Sequence, residues 1–286
     1  MFKEIDFSAK LIGKIDSGEE HIFRENINTE NEYYSKVFYN QNKNMIGVFF
    51  SCVYYGYLRI HIAFTEDTSM FNDEISTLIT STIQKSDLKK GRIWIKNDTK
   101  CIIDYVRMFF RITPNCGIYD YTSEEFIMRR ANFIKKIDDK SLVIKPFEEK
   151  YIVEYLALLD NAMDFVSPVP DYLSHKDNYL ELFNEKKTEN SFEAFWKDDE
   201  LIGLYWRDGA EIEIMAVNNN HQRQGYGTEI LTRAIDMALI NTEKEFVYLY
   251  AVDWNEKGRA FYRKYGMELT AHSFSFSIEN FKILST

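Results

Sequence analysis

Gln222-Arg223-Gln224-Gly225-Tyr226-Gly227 stands between a strand-like run, Glu211-Ile212-Glu213-Ile214-Met215-Ala216-Val217, and a stretch where Ile230, Leu231, Ala234, Ile235, Ala238 and Leu239 recur at helical spacing. Strand, glycine-bearing loop and amphipathic helix in that order place several backbone N–H groups at a helix N-terminus, where the dipole favours an anion. The two glycines leave room for a phosphate to approach the main chain. A dinucleotide fingerprint would need a third glycine where Ile230 stands, and the Lys-Ser/Thr pair of a P-loop is absent. Further along the chain, a second strand at Phe246 to Val252 runs into Asn255, Ala260, Phe261, Tyr262 and Gly266.

Together these stretches resemble the core motifs of the GCN5-related N-acetyltransferase superfamily, which moves acyl groups from acyl-coenzyme A. The likeness is detailed over roughly the last 75 to 80 residues, in order and spacing as well as residue type. It implies acetyl-coenzyme A as co-substrate and no metal. It also implies that Met215, Ala216 and Val217 lend strand-edge backbone groups to the pantetheine arm. Gln222, Arg223, Gln224, Gly225, Tyr226, Gly227 and Thr228 would hold the pyrophosphate, Arg223 adding charge. Asn255 matches a cofactor-contacting position, although a plain helix cap is an equal reading. Tyr262 matches the general acid that protonates the departing thiolate, with a packed helix tyrosine as the alternative. An alkyl ammonium must lose a proton before it attacks, and Glu211 matches a position where some members carry a glutamate base. Glu213, two residues on, is expected on the same strand face and is the second candidate.

Composition bounds the rest. The chain has 286 residues, 45% hydrophobic, with 22 Phe, 19 Tyr and 4 Trp, enough for a sizeable core. Cys52, Cys101 and Cys116 have no metal-ligand spacing, and Met1-Phe2-Lys3-Glu4 does not read as a secretory leader. A reduced, cytoplasmic compartment is therefore expected, and no apolar run approaches membrane-spanning length. Residues 1–140 hold 20 Lys+Arg and 20 Asp+Glu, whereas 141–286 hold 15 and 25, so the second half carries the whole net charge of −10. Such a field disfavours nucleic acid and suits a small cationic acceptor, or merely keeps the protein soluble.

The two halves read as weak copies of each other. Phe38 to Phe50 parallels Phe195 to Trp206, two strands joined by a polar turn with glycine (Gly47, Gly203) third in the second strand. Leu58 to Phe64 parallels Glu211 to Val217, Glu74 to Gln84 parallels Glu229 to Leu239, and Arg92 to Ile95 parallels Val247 to Tyr250. The expected architecture is therefore two three-layer α/β domains in tandem, each a mixed, mostly antiparallel sheet flanked by helices. A boundary is expected near residue 138, after a helical stretch at Thr122 to Ile134, giving domains 1–138 and 139–286. The first copy lacks the loop: Thr65 to Asp73 holds three acids and no glycine. It is expected to be degenerate, packing against or shaping the active copy.

The reading reached is an acetyl-coenzyme-A-dependent N-acetyltransferase acting directly on a primary amine of a small molecule or peptide. The acceptor is expected over Asp164-Phe165-Val166-Ser167-Pro168-Val169-Pro170-Asp171. The competing reading is an acyl-coenzyme-A-binding sensor or assembly module without turnover.

Overall fold

The computed structural model describes residues 2–14, 20–54, 56–88, 90–112, 117–136, 141–163, 171–187 and 191–277. In chain order the elements are α1 (Phe2–Ile12), α2 (Glu20–Asn26), β1 (Glu32–Tyr39), β2 (Met45–Tyr54), β3 (Tyr57–Phe64), α3 (Asn72–Lys85), β4 (Lys90–Lys96), α4 (Lys100–Ile112) and β5 (Gly117–Arg129). There follow β6 (Val143–Pro146), α5 (Ile152–Ala162), α6 (Lys176–Lys187), β7 (Phe192–Lys197), β8 (Glu200–Asp208), β9 (Glu211–Val217), α7 (Tyr226–Ile240), β10 (Phe246–Val252), α8 (Glu256–Tyr265) and β11 (Glu268–Ser277). Among the described residues no helix is long and apolar enough to cross a membrane.

Two compact units result. The first comprises residues 1–126 with 251–253 and 269–286, and the second comprises 127–250 with 254–268. The expected division at 138 thus differs from the compact units, because β11 returns to the first one. There it pairs antiparallel with β4 from Ala271 opposite Lys96 to Ser277 opposite Lys90. The helix expected at Thr122 to Ile134 is largely strand: β5 runs to Arg129 and a single 3₁₀ turn covers Arg130–Asn132. Glutamates and a methionine suggest a helix locally, but Ser123 to Met128 are all buried, and long-range pairing overrides that propensity.

In the first unit the strand order is β1-β2-β3-β4-β11-β5, and in the second it is β10-β9-β8-β7-β6. Each sheet is mostly antiparallel, with one parallel seam where a helix crosses over: β3 with β4, and β9 with β10. The core of the first lies under α3 and α4, where Phe49, Ile60, Ile62, Ile75, Ile79 and Val106 are buried together. In the second, Phe147, Tyr155, Phe183, Phe192, Leu204 and Trp206 fill the space under α5 and α6. Each such side chain taken from water stabilises its unit by roughly 1.5–3 kcal/mol.

The internal repeat holds in register. Gly47 lies between Phe38 and Phe64, and Gly203 between Phe195 and Val217. A Cβ on Gly47 would stand 2.3 Å from the Phe64 ring, and one on Gly203 would stand 2.5 Å from the Ala216 carbonyl oxygen. In both units the glycine is there because a neighbour occupies its side-chain space.

Candidate active site

The second unit's parallel seam is almost entirely open. β10 pairs with β9 at one position, Tyr248 opposite Glu211, where the Tyr248 N–H donates to the Ala210 carbonyl at 3.0 Å. At the far end of β9 the Asn218 N–H donates to Ile202 on β8 at 2.8 Å. By strand alternation the main-chain groups of Val217 and Met215 then face the β10 side, and those of the buried Ala216 face β8. Alternation alone would put Ala210 and Val217 on opposite sides. The change of phase comes from a bulge: Trp206 opposes Ile214 and Arg207 opposes Ile212, so Glu213 is the extra residue. A bulge next to an opening in a sheet re-aims the groups around it.

The bulge also changes the relation of the two glutamates, which no longer follow the regular two-residue alternation. Glu211 is half-buried at the closed end of the seam, and Glu213 is exposed. The Trp206 indole N–H donates to the Glu213 carboxylate, and Trp206 itself packs on Phe183, their ring centroids 4.9 Å apart.

The loop after β9 is held by its own amides. The Asn218 side chain accepts from the Asn220 N–H at 3.1 Å, and Gln224 Nε2 donates to the Asn220 carbonyl at 3.1 Å. Gln222 Nε2 donates to Asn219 Oδ1 at 2.8 Å and to the Val217 carbonyl at 3.3 Å. Arg223 and Gly225 adopt positive φ, 61° and 92°, so glycine at 225 is the conformation's own requirement. Gly225 is the N-cap of α7 and no side chain caps this end. The first N–H groups of the helix therefore point out of it with the positive dipole end behind them. Gly227 differs from Gly225. Its φ is ordinary, and a Cβ there would meet nothing nearer than Phe261 at 3.6 Å and Val217 at 3.7 Å. The protein's own packing does not demand that glycine.

Tyr226 is buried, and its hydroxyl accepts from Lys197 Nζ at 3.3 Å. Lys197 carries no local signal in the sequence: it sits on β7, 29 residues earlier, and only the fold brings that cation to the helix start. Trp206 is hidden from sequence reasoning for the same reason. Thr228 is half-buried, its carbonyl accepting from Thr232 Oγ1 at 2.7 Å.

Helix α8 packs beside the start of α7. Phe261 meets the Gly227 position, and the Tyr265 hydroxyl shares a hydrogen bond of 2.7 Å with Thr232 Oγ1. Asn255 is the N-cap of α8, its Oδ1 accepting from the Gly258 N–H at 2.9 Å. Tyr262 is buried between these residues on α8, and burial pushes its hydroxyl up to about 12. It stays protonated and can donate throughout the neutral range. Residues Asp164 to Pro170 of the expected acceptor segment lie outside the described residues. Its last residue, Asp171, is described and exposed, and the next N–H, that of Tyr172, donates to Asp160 on α5 at 2.7 Å.

Comparison with known proteins agrees with this geometry. The acetyltransferase (GNAT) family model matches residues 156–267. Among solved structures, a GCN5-related N-acetyltransferase from Sphaerobacter thermophilus is 11% identical with a TM-score of 0.50, covering 97% of this chain and 94% of that one. A Drosophila protein is 10% identical with a TM-score of 0.53, covering 98% and 97%. A GNAT-family acetyltransferase from Colwellia psychrerythraea is 14% identical with a TM-score of 0.48, covering 99% and 97%. At such identities the first two similarities speak for the fold, and the family match speaks for the segment that holds the open seam and the glycine loop. Residues 156–267 are therefore similar to the acetyltransferase (GNAT) family, and that segment carries the likeness.

Proposed function

We propose that the second unit binds acetyl-coenzyme A along the β9–β10 opening and passes the acetyl group directly to a primary amine. The observation that carries this reading is the seam paired only at Tyr248 and Glu211, with the uncapped, glycine-bearing start of α7 at its open end. The residues fit the group. Main-chain N–H groups at Gly225 to Gly227 would face a pyrophosphate, whereas that of Thr228 donates to the Gly225 carbonyl at 3.0 Å. Lys197 and Arg223 would supply positive charge nearby, and Met215 and Val217 would offer strand edges to an amide-bearing arm.

In this mechanism each chain residue has one task. The acceptor arrives as an ammonium, with a pKa near about 10.4, and Glu211 at the closed end of the seam takes its proton, directly or through a water. Glu213, exposed at the bulge and oriented by Trp206, attracts the cation. Tyr262 donates its proton to the departing thiolate. Asn255 shapes the site by starting α8. The first unit, which repeats the Gly47 and Gly203 arrangement without the loop, is the degenerate copy of a tandem pair.

Release of free coenzyme A thiol from acetyl-coenzyme A, measured across a panel of primary amines, tests the reading. Amine-dependent thiol release supports it. Saturable acetyl-coenzyme A binding with no release for any amine would replace it with the non-catalytic binding module.

A further inference from the structure

Outside that site, three groups with metal-ligating atoms meet in the first unit: Glu124 on β5, Asp253 just after β10, and His272 on β11. Their donor atoms all lie within 4.8 Å of one another. Around a bound transition metal, bond lengths of roughly 2.0–2.2 Å put donor atoms about 3 to 4.3 Å apart, so small side-chain rotations close the set. Glu124 is only 3% exposed. Two of the three groups are held from behind. Nε2 of His272 lies 3.0 Å from Asn97 Oδ1, an acceptor, so Nε2 carries the proton and Nδ1 the lone pair. Asn97 is fixed in turn, its N–H donating to the Thr270 carbonyl at 3.1 Å. The Arg107 guanidinium pairs with Oδ2 of Asp253 at 3.1 Å. An outer partner that sets the tautomer of a histidine or the orientation of a carboxylate is what tunes metal ligands.

We propose that Glu124, Asp253 and His272 bind one divalent transition-metal ion, with Asn97 and Arg107 as positioning residues. One imidazole and two carboxylates suit zinc, manganese or ferrous iron; the set lacks the six to eight oxygens of a calcium site and the thiolates of a soft one. The ligands come from β5, β11 and the segment after β10, so the ion would staple the returning end of the chain into the first unit.

The test uses the full-length chain stripped with a chelator and desalted, then titrated with zinc by calorimetry and with cobalt(II) by visible absorption. Expected are one tight ion per chain, a raised Tm, cobalt bands typical of a low-coordinate nitrogen and oxygen site, and a loss of ~100-fold or more in affinity for Glu124→Gln and for His272→Gln. Asn97→Ala should weaken binding by ~10- to 100-fold with the fold intact by circular dichroism. Absence of saturable zinc binding by the folded wild-type chain overturns the proposal. So does binding that Glu124→Gln and His272→Gln both leave unchanged, which would locate the ion at a surface histidine such as His175; a plain ion-pair network would then account for the cluster.

Discussion

The parallel seam of the first unit is paired at five positions, from Leu58 opposite Gly91 to Ile62 opposite Ile95, whereas that of the second is paired at one. Both have the same strand, helix, strand order, so connectivity does not decide whether the seam opens. Two local features separate them. The second unit has an extra residue, Glu213, in the strand before the helix, and a loop with Gly225 and Gly227 after it. The first has neither, and its loop carries Glu66, Asp67 and Asp73, of which Asp67 accepts the Cys101 N–H at 2.9 Å and so joins the start of α4. An acid near phosphates costs about 4 kcal/mol at 4 Å for an effective dielectric constant near 20. The closed seam and the acidic loop thus both disfavour a long anionic cofactor in the first unit.

The contrast breaks most easily at Gly227. Replacing it with aspartate, in a place where the protein leaves room for a Cβ, should lower acetyl-coenzyme A affinity by about 10³-fold while leaving Tm nearly unchanged. Calorimetry on the full chain reads both this and stoichiometry, which should be one acetyl-coenzyme A per chain. Two sites per chain would abolish the contrast. The full chain is needed because residues 1–138 alone lack β11, the strand that pairs with β4.

Tyr262→Phe should come next in size. In the proposed mechanism its hydroxyl would protonate the leaving thiolate, so kcat should fall by ~10- to 10⁴-fold with acetyl-coenzyme A affinity changed only a few-fold. Because burial pushes this hydroxyl up to about 12, wild-type kcat should show no alkaline loss through the ordinary tyrosine range near about 10. Unchanged kcat with chemistry rate-limiting would remove Tyr262 from the mechanism.

The same burial has a stability consequence. The folded state holds the Tyr262 proton more tightly than the unfolded chain, so this contribution is complete below pH ~10 and is lost as pH rises toward about 12. Tyr155 and Tyr205 are raised by burial as well and add to the alkaline loss. Relative to wild type, Tyr262→Phe should gain up to about 2–3 kcal/mol between pH 9 and 12 in urea unfolding. A stability difference independent of pH would mean that the hydroxyl is not buried in solution.

Local signals made most of the second unit readable. The helix after Gly225 and the strand before Asn255 announce themselves by periodicity and by glycine and asparagine at their ends, and they fold as Tyr226–Ile240 and Phe246–Val252. Asn255 shows the limit of that legibility: cofactor contact and helix cap share one residue type, and its Oδ1 is engaged as the cap. The bulge at Glu213 was hidden, because alternation in Glu211 to Val217 looks unbroken and only the pairing with β8 displaces it. Lys197 and Trp206 reach the site from other strands. The strand nature of β5 and the return of β11 depend on pairing over more than a hundred residues, which no local window contains.

The smallest expected effect concerns the acceptor, and it extends the contrast between the halves to their charge. The whole net charge of −10 lies in residues 141–286, and Glu213 places one of those acids, exposed, beside the opening. A cationic amine should be drawn toward it, while a neutral one should not. With a Debye length of about 10 Å at 0.1 M, added salt screens that attraction, so KM for a cationic acceptor should rise a few-fold between low and moderate ionic strength. KM for a neutral acceptor should stay level, and Glu213→Gln should flatten the salt dependence of the cationic one without lowering kcat appreciably. Equal salt responses for the two acceptors would mean that the acidity of the second half serves solubility alone, and the contrast would then rest on the seam and the loop.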